Sequence, residues 1–152
     1  MKEFLKQWLP EKQVQQLRYL KNIPFKVSLE TLLSVINSLP ENLKIAVKSN
    51  LVFKKQLDYD KDLIFLNIDS EMESKLRTNS CKKEPETIEW IETIFKKGDV
   101  FYDIGANVGA YSLVASKFFN DEIQIFAFEP GFHTFVSLCK NISINEISSI
   151  IP

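Results

Sequence analysis

The sequence is short of glycine, arginine, histidine and cysteine, and each shortage excludes something. Only two of its 19 basic residues are arginine, Arg18 and Arg77, and no basic cluster exceeds two residues. That is not the footprint of a nucleic-acid binder, so no nucleic-acid partner is expected. Cys81 and Cys139 are the two cysteines. They form neither a CxxC motif nor a disulfide framework, which points to a reducing compartment, the cytoplasm. Single His133 leaves no histidine-based metal set, and no metal is expected. No apolar run approaches the ~20 residues of a membrane span, and the mixed residues Met1 to Pro10 do not read as a secretory leader, so no membrane partner is expected. What remains is ordinary globular composition: 152 residues, 45% hydrophobic, 26% charged, with a formal charge of −1.

The first fifty residues read as helices separated by prolines. Pro10 opens one that carries Val14, Leu17 and Leu20 and stops before Pro24. Ser28 is an N-cap for a second, on which Leu29, Leu32, Leu33, Ile36 and Leu39 recur at helical spacing. Pro40 and Glu41 start a third with Leu43, Ala46 and Val47 inside, ending near Asn50. Such stripes ordinarily pack into a core. From Leu51 the pattern changes to a β-hairpin, 51–59 and 63–69, turning at Asp60-Lys61-Asp62. Asp58, Asp60 and Asp62 alternate like part of a calcium loop, but no Gly or terminal Glu follows. Ser70 and Glu73 suggest a capping box for a helix to Thr78, and Pro85 begins a helix over 85–97 closed by Gly98.

The remainder reads as β-α-β-α-β: strand 100–104, glycine loop 105–109, helix 110–119, strand 124–128, helix 132–141 and a strand at 147–151. That succession implies a parallel sheet, an α/β fold. Three of the four glycines fall at strand-to-helix transitions. The loop reads Asp103-Ile-Gly105-Ala106-Asn107-Val-Gly109, and Glu129 ends the second strand, where an acidic residue takes two ribose hydroxyls in doubly wound folds. The dinucleotide signature Gly-x-Gly-x-x-Gly and the triphosphate loop are both absent. No arginine or lysine lies between Lys97 and Lys117 or between Lys117 and Lys140. An acidic cradle without arginine suits a ligand with positive charge and a ribose but no phosphate. S-adenosylmethionine is such a ligand, and Asp103 is placed to meet its ammonium.

Residues 103–109 with Tyr111-Ser112, then Phe126-Ala-Phe-Glu129-Pro130, resemble the FkbM-type methyltransferases, and Lys83 to Trp90 resembles that family's lead-in helix. The resemblance spans roughly Leu51 to Pro152 and leaves out the first fifty residues. It implies an incomplete Rossmann-like parallel sheet of class I methyltransferase type, preceded by N-terminal helices and a β-hairpin. The expected organisation is a helical region 1–50, a hairpin and lead-in 51–98, and the N-terminal half of a cofactor domain 99–152. It implies S-adenosylmethionine as cofactor and a small-molecule or sugar hydroxyl as methyl acceptor. Asp103, Gly105, Asn107 and Gly109 would line the methionine side, Glu129 would hold the ribose and residues just after Pro130 would approach the adenine; Ala106, Pro130 and Phe132 are further candidates for cofactor contact.

Several assignments stay open on the residues alone. Asp103 can cap the following helix, Asn107 can be a left-handed turn residue, and Glu129 can be a solvated carboxylate. Glu84 and Thr87 suit either a helix cap or a cofactor contact; Tyr111 and Phe132 suit either stacking or core packing. His133 suits the surface or the adenine rim better than a general base, Cys139 suits an apolar filler and Trp90 a place between helix and sheet. The family's sheet has strand order 3-2-1-4-5-7-6, so this sequence supplies strands 1 and 2 and the start of 3. Catalytic residues would lie beyond Pro152, and the chain alone is expected to be inactive. The alternatives are a non-catalytic module or decayed gene product, and a fragment of a nicotinamide-dependent oxidoreductase. Strand 100–104 is left with an open edge, which predicts self-association.

Overall fold

The computed structural model describes residues 28–152, the side chains of Met72 and Glu73 aside. The helix expected between Pro10 and Pro24 lies outside the described residues, and so does Glu73's part in a capping box. The chain divides into two units, Met1–Leu51 and Val52–Pro152.

In the first unit, helix α1 covers Leu29–Ser38 and helix α2 covers Glu41–Asn50. Ser28 caps α1, its Oγ accepting the Thr31 N–H at 3.2 Å. Pro40 sets the turn between them, its carbonyl accepting from Leu43 and Lys44. The expected core role of the stripes is corrected: neither helix buries a residue, and Leu29, Leu32, Leu33, Val35 and Ile45 are exposed. The apolar spacing is there, with Ile36, Leu39, Leu43 and Val47 half-buried.

The second unit starts with an antiparallel hairpin. Strand β1 (Lys54–Gln56) pairs with β2 (Phe65–Asn67), and Leu57 N–H to Ile64 C=O carries the pairing one step further. The Asp58 carboxylate accepts the N–H groups of Cys81 and Lys82. Three helices follow: α3 (Glu71–Leu76), α4 (Ser80–Lys83) and α5 (Pro85–Ile94). The expected end of α5 at 97 is corrected to 94. Phe95 is extended, the Asp99 carboxylate accepts the Lys96 N–H at 2.8 Å, and Gly98 at φ +89° serves that separate turn.

Strand β3 (Val100–Ile104), helix α6 (Ala110–Phe118), strand β4 (Gln124–Phe128), helix α7 (Phe132–Ile144) and strand β5 (Ile150–Ile151) complete the unit. The sheet is parallel, with order β3-β4-β5, so the α/β, Rossmann-like expectation stands. Helix α7 runs three residues past the expected Asn141, to Ile144, and β5 begins at Ile150 rather than 147. Glu146 takes a left-handed turn at φ +54°, which delays the strand.

One sheet face is buried: Phe101, Ile125, Ala127 and Ile150 pack with Ile91 of α5, Leu113 and Val114 of α6, Leu138 of α7 and Leu57, Ile64 and Leu66 of the hairpin. The other face departs from the expected buried strand. Val100, Tyr102 and Ile104 are exposed, as are Phe128 and Ile151. Tyr102 stacks on Phe126 with centroids 5.3 Å apart. Trp90 takes its expected place. It stands edge-on to Phe95 at 4.9 Å and to Phe101 of β3 at 6.1 Å, so it does lie between helix and sheet, though 46% exposed at the margin.

Candidate functional site

The glycine loop leaves the end of β3 and returns into α6, held at several peptides. The N–H groups of Gly105 and Ala106 both reach the Phe128 carbonyl, at 2.8 and 3.0 Å, tying the loop to the end of β4. Gly109 N–H donates to the Ala106 carbonyl at 2.7 Å. Asn107 sits at φ +55°, Gly105 at +82° and Gly109 at +83°, so the loop alternates through left-handed backbone.

The two end glycines are needed for different reasons. A Cβ on Gly109 would lie 2.4 Å from Leu138 Cδ1, so this glycine lets α6 and α7 approach. A Cβ on Gly105 would meet nothing within 4 Å. Space is open above Gly105, where a ligand can reach the backbone.

Asp103 faces the first turn of α6. Its Oδ2 accepts the Ser112 hydroxyl at 2.6 Å, and the Ser112 backbone N–H also favours the carboxylate. The hydroxyl bond ties Asp103 to the first turn of α6. Burial pushes its carboxyl above the usual range, against those two hydrogen bonds. Asn107 contributes a buried Oδ1 with no hydrogen-bond partner. A buried carbonyl oxygen without a donor costs about 1–3 kcal/mol, so it favours a ligand that brings one.

Glu129 comes to the same loop. Its Oε2 accepts the Asn107 N–H at 2.8 Å, and its Oε1 accepts the Gly131 N–H and the Thr134 hydroxyl, both at 2.7 Å. The Thr134 hydroxyl, then the Gly131 and Asn107 amides and the charge of Arg77, hold it below the usual carboxylate range despite slight desolvation. It is not a freely solvated carboxylate. Three of its roughly four acceptor positions are used within the chain, so a ribose diol would have to exchange with some of these donors. Gly131 has no room for a side chain: a Cβ would meet Thr134 Oγ1 at 2.5 Å and Glu129 Oε1 at 2.7 Å.

Tyr111 and Glu84 meet. The Tyr111 hydroxyl donates to the Ser80 carbonyl at 3.4 Å; burial, and then the Glu84 carboxylate beside it, raises its pKa. Tyr111 thus packs half-buried at the lead-in. The Glu84 side chain makes no cap hydrogen bond; its carbonyl instead accepts the Thr87 N–H at 3.1 Å. Pro130 is exposed, and Phe132, 76% exposed and edge-on to His133, is not core. The Cys81 thiol, pushed up to about 12 by burial and the Asp58 charge, is no nucleophile at neutral pH.

No family model and no curated relative matches the chain. Among solved structures it is similar to Trm5b from Pyrococcus abyssi, at 17% identity and a TM-score of 0.45. That likeness covers 75% of this chain and 42% of that one. PH0851 is similar at 14% identity and a TM-score of 0.41, over 77% of this chain and 27% of that one. The chain spans less than half the length of either. Among the described residues, no helix is long and apolar enough to cross a membrane, and no group of acidic, histidine and cysteine side chains is placed to hold a metal ion.

The structure brings Asp103, Gly105, Ala106, Asn107, Gly109 and Glu129 to one loop cluster, with Tyr111 and Glu84 paired beside the following helix and Pro130 and Phe132 exposed just beyond Glu129. Thr87 is held by its backbone alone. Sequence reasoning missed Ser112 and Thr134, which fix the two carboxylates. It also missed Arg77, whose charge is the smallest of the influences that hold Glu129 low.

Proposed function

We propose that this chain carries the cofactor-binding part of an S-adenosylmethionine-dependent methyltransferase of FkbM type, acting on a hydroxyl of a small molecule or glycan. The observation that supports it best is the junction of the loop with the second strand. Glu129 is bonded to the backbone of Asn107, between Gly105 and Gly109, while Asp103 closes the other side on Ser112.

The residues suit the cofactor. The unpartnered Asn107 Oδ1 and the Asp103 carboxylate would receive the ammonium, Gly105 leaves room for the amino-acid part, and Glu129 would take the ribose hydroxyls. Bound there, S-adenosylmethionine supplies an electrophilic methyl group on a sulfonium. The chain's own contribution is to bind and orient: methyl transfer depends chiefly on holding acceptor and methyl in line. No side chain here is assigned as a general base for the acceptor, so the catalytic residues stay unassigned.

Calorimetry with S-adenosylhomocysteine and with NAD tests the reading. Binding of the first and not the second is expected. Binding of NAD alone would instead support the nicotinamide-dependent alternative, and binding of neither would support the non-catalytic one. The open edge of β3, with Val100, Tyr102 and Ile104 exposed, carries a second proposal, self-association. Light scattering at tens of micromolar should then give more than a monomer mass; a clean monomer contradicts it.

A further inference from the structure

Helix α7 and its C-cap residue present Leu138, Asn141 and Asn145 on one buried side, at spacings of three and four residues, and two of these three are amides. Asn145 serves the hairpin alone among strands and loops: its Oδ1 accepts the Phe65 N–H at 2.8 Å and its Nδ2 donates to the Phe65 carbonyl at 2.6 Å. Together the two asparagines complete the outer edge of β2 as a neighbouring strand would.

Asn141 does something more. It is fully buried; its Oδ1 accepts the Asn67 N–H of β2 at 2.7 Å, and its Nδ2 donates to the Val108 carbonyl at 2.8 Å. Val108 is the residue between Asn107 and Gly109. In a trans peptide the carbonyl and the next N–H point opposite ways. The Val108 carbonyl is held by Asn141 on one side, and the Gly109 N–H by the Ala106 carbonyl on the other, at 2.7 Å. The 108–109 peptide plane is therefore pinned from both sides, next to the left-handed Gly109. One end of the bridging side chain must accept and the other must donate, which an amide does and a carboxylate or an alkyl group does not.

We propose that Asn141 is a positioning residue for the cofactor loop, through which the hairpin sets the loop's shape in advance of ligand. The ligand part of this rests on the methyltransferase reading; the loop part does not. A glycine-rich loop has much conformational freedom to lose, and fixing it beforehand reduces what binding must spend on order.

The test compares Asn141→Asp with Asn145→Asp in the full chain, by amide hydrogen exchange at one pH high enough to ionise the new carboxyl, because a protonated carboxyl would still donate to the Val108 carbonyl. Both changes put a carboxylate at a buried amide position on the same side of α7 and its C-cap against the same hairpin, but only the first loses the loop. In Asn141→Asp the Gly109 and Asn107 amides should exchange about tenfold faster than in the parent, the size expected for one buried hydrogen bond lost. Ile125 in β4 should not change relative to the parent. In Asn145→Asp the loop amides should stay within about twofold. Equal loosening of the loop by both variants, or no change in Gly109 with Asn141→Asp, overturns the inference.

S-adenosylhomocysteine affinity should fall about tenfold in Asn141→Asp and little in Asn145→Asp. If the parent binds no S-adenosylhomocysteine, the proposed function fails while the exchange result still decides the loop. Should Asn141→Asp not fold, the scalar coupling across the hydrogen bond from Asn141 Nδ2 to the Val108 carbonyl carbon can be sought in the parent. Its presence supports the link, and its absence overturns it.

Discussion

Replacing Gly109 with alanine should destabilise the fold by about 3 kcal/mol. Two costs add. An L-residue in left-handed backbone costs roughly 1–2 kcal/mol, and Gly109 sits at φ +83°. Forcing a methyl into a packed core costs about 1–3 kcal/mol more. Here the new Cβ would stand 2.4 Å from the Cδ1 of Leu138, which is fully buried and has little free volume to turn into. Domain stabilities are only about 5–15 kcal/mol, so this is a large fraction.

Gly105→Ala is the matched comparison. Its φ of +82° is nearly the same, but nothing lies within 4 Å of the added Cβ. The strain alone, about 1–2 kcal/mol, should appear in its stability. The methyl group instead occupies the open space over the loop, so S-adenosylhomocysteine affinity should suffer. Urea unfolding of the two variants checks the first half and calorimetry on Gly105→Ala the second. Equal stability of the two would mean that Leu138 yields easily and the close approach of α7 is not tight.

How much of this could be read beforehand depended on whether the information was local. The loop and its flanking strands were legible because glycine, a short apolar run and a terminal acid each act within a few residues of themselves. Helix α1 was legible for the same reason, through Ser28 and the spacing of its leucines. The exposure of those leucines was not, since an apolar stripe states what a helix can bury and not whether anything meets it. The same holds for β3, whose apolar run reads as buried on both faces although only Phe101 is buried. Helix α5 was read three residues too long because Lys96 and Lys97 suit a helix end; the Asp99 carboxylate captures the Lys96 N–H and makes a separate turn.

The long-range contacts left the least trace. Arg77 acts on Glu129 from far away in sequence, and no pattern joins them. Asn141 and Asn145 did leave a signal. Polar amides at helical spacing within an apolar stripe, beside Leu138 and Ile142, ask for buried partners. Only the fold shows that the partners are a strand edge and the glycine loop.

Asp103→Asn should separate stability from binding. The Asp103 carboxyl is raised by burial, opposed by its two bonds from Ser112. A carboxyl whose folded pKa lies above its unfolded value of about 3.9 costs stability once ionised, and the cost grows as pH rises from one value to the other. Asparagine removes that cost and keeps an oxygen for the Ser112 hydroxyl. The variant should therefore be at least as stable as the parent at neutral pH. Its affinity for S-adenosylhomocysteine should fall about 10–100-fold, the worth of one charge-assisted hydrogen bond to the ammonium. Acid should reproduce the loss in the parent. Affinity should decline as pH falls through the raised Asp103 value, above the usual carboxylate range, while Glu129, held low by Thr134 and the loop amides, is still ionised. Over that same span Asp103→Asn should show a flat affinity profile. A variant that binds as tightly as the parent, or declines with pH as the parent does, would reduce Asp103 to a tie on the first turn of α6 and move the ammonium's partner to Asn107 alone.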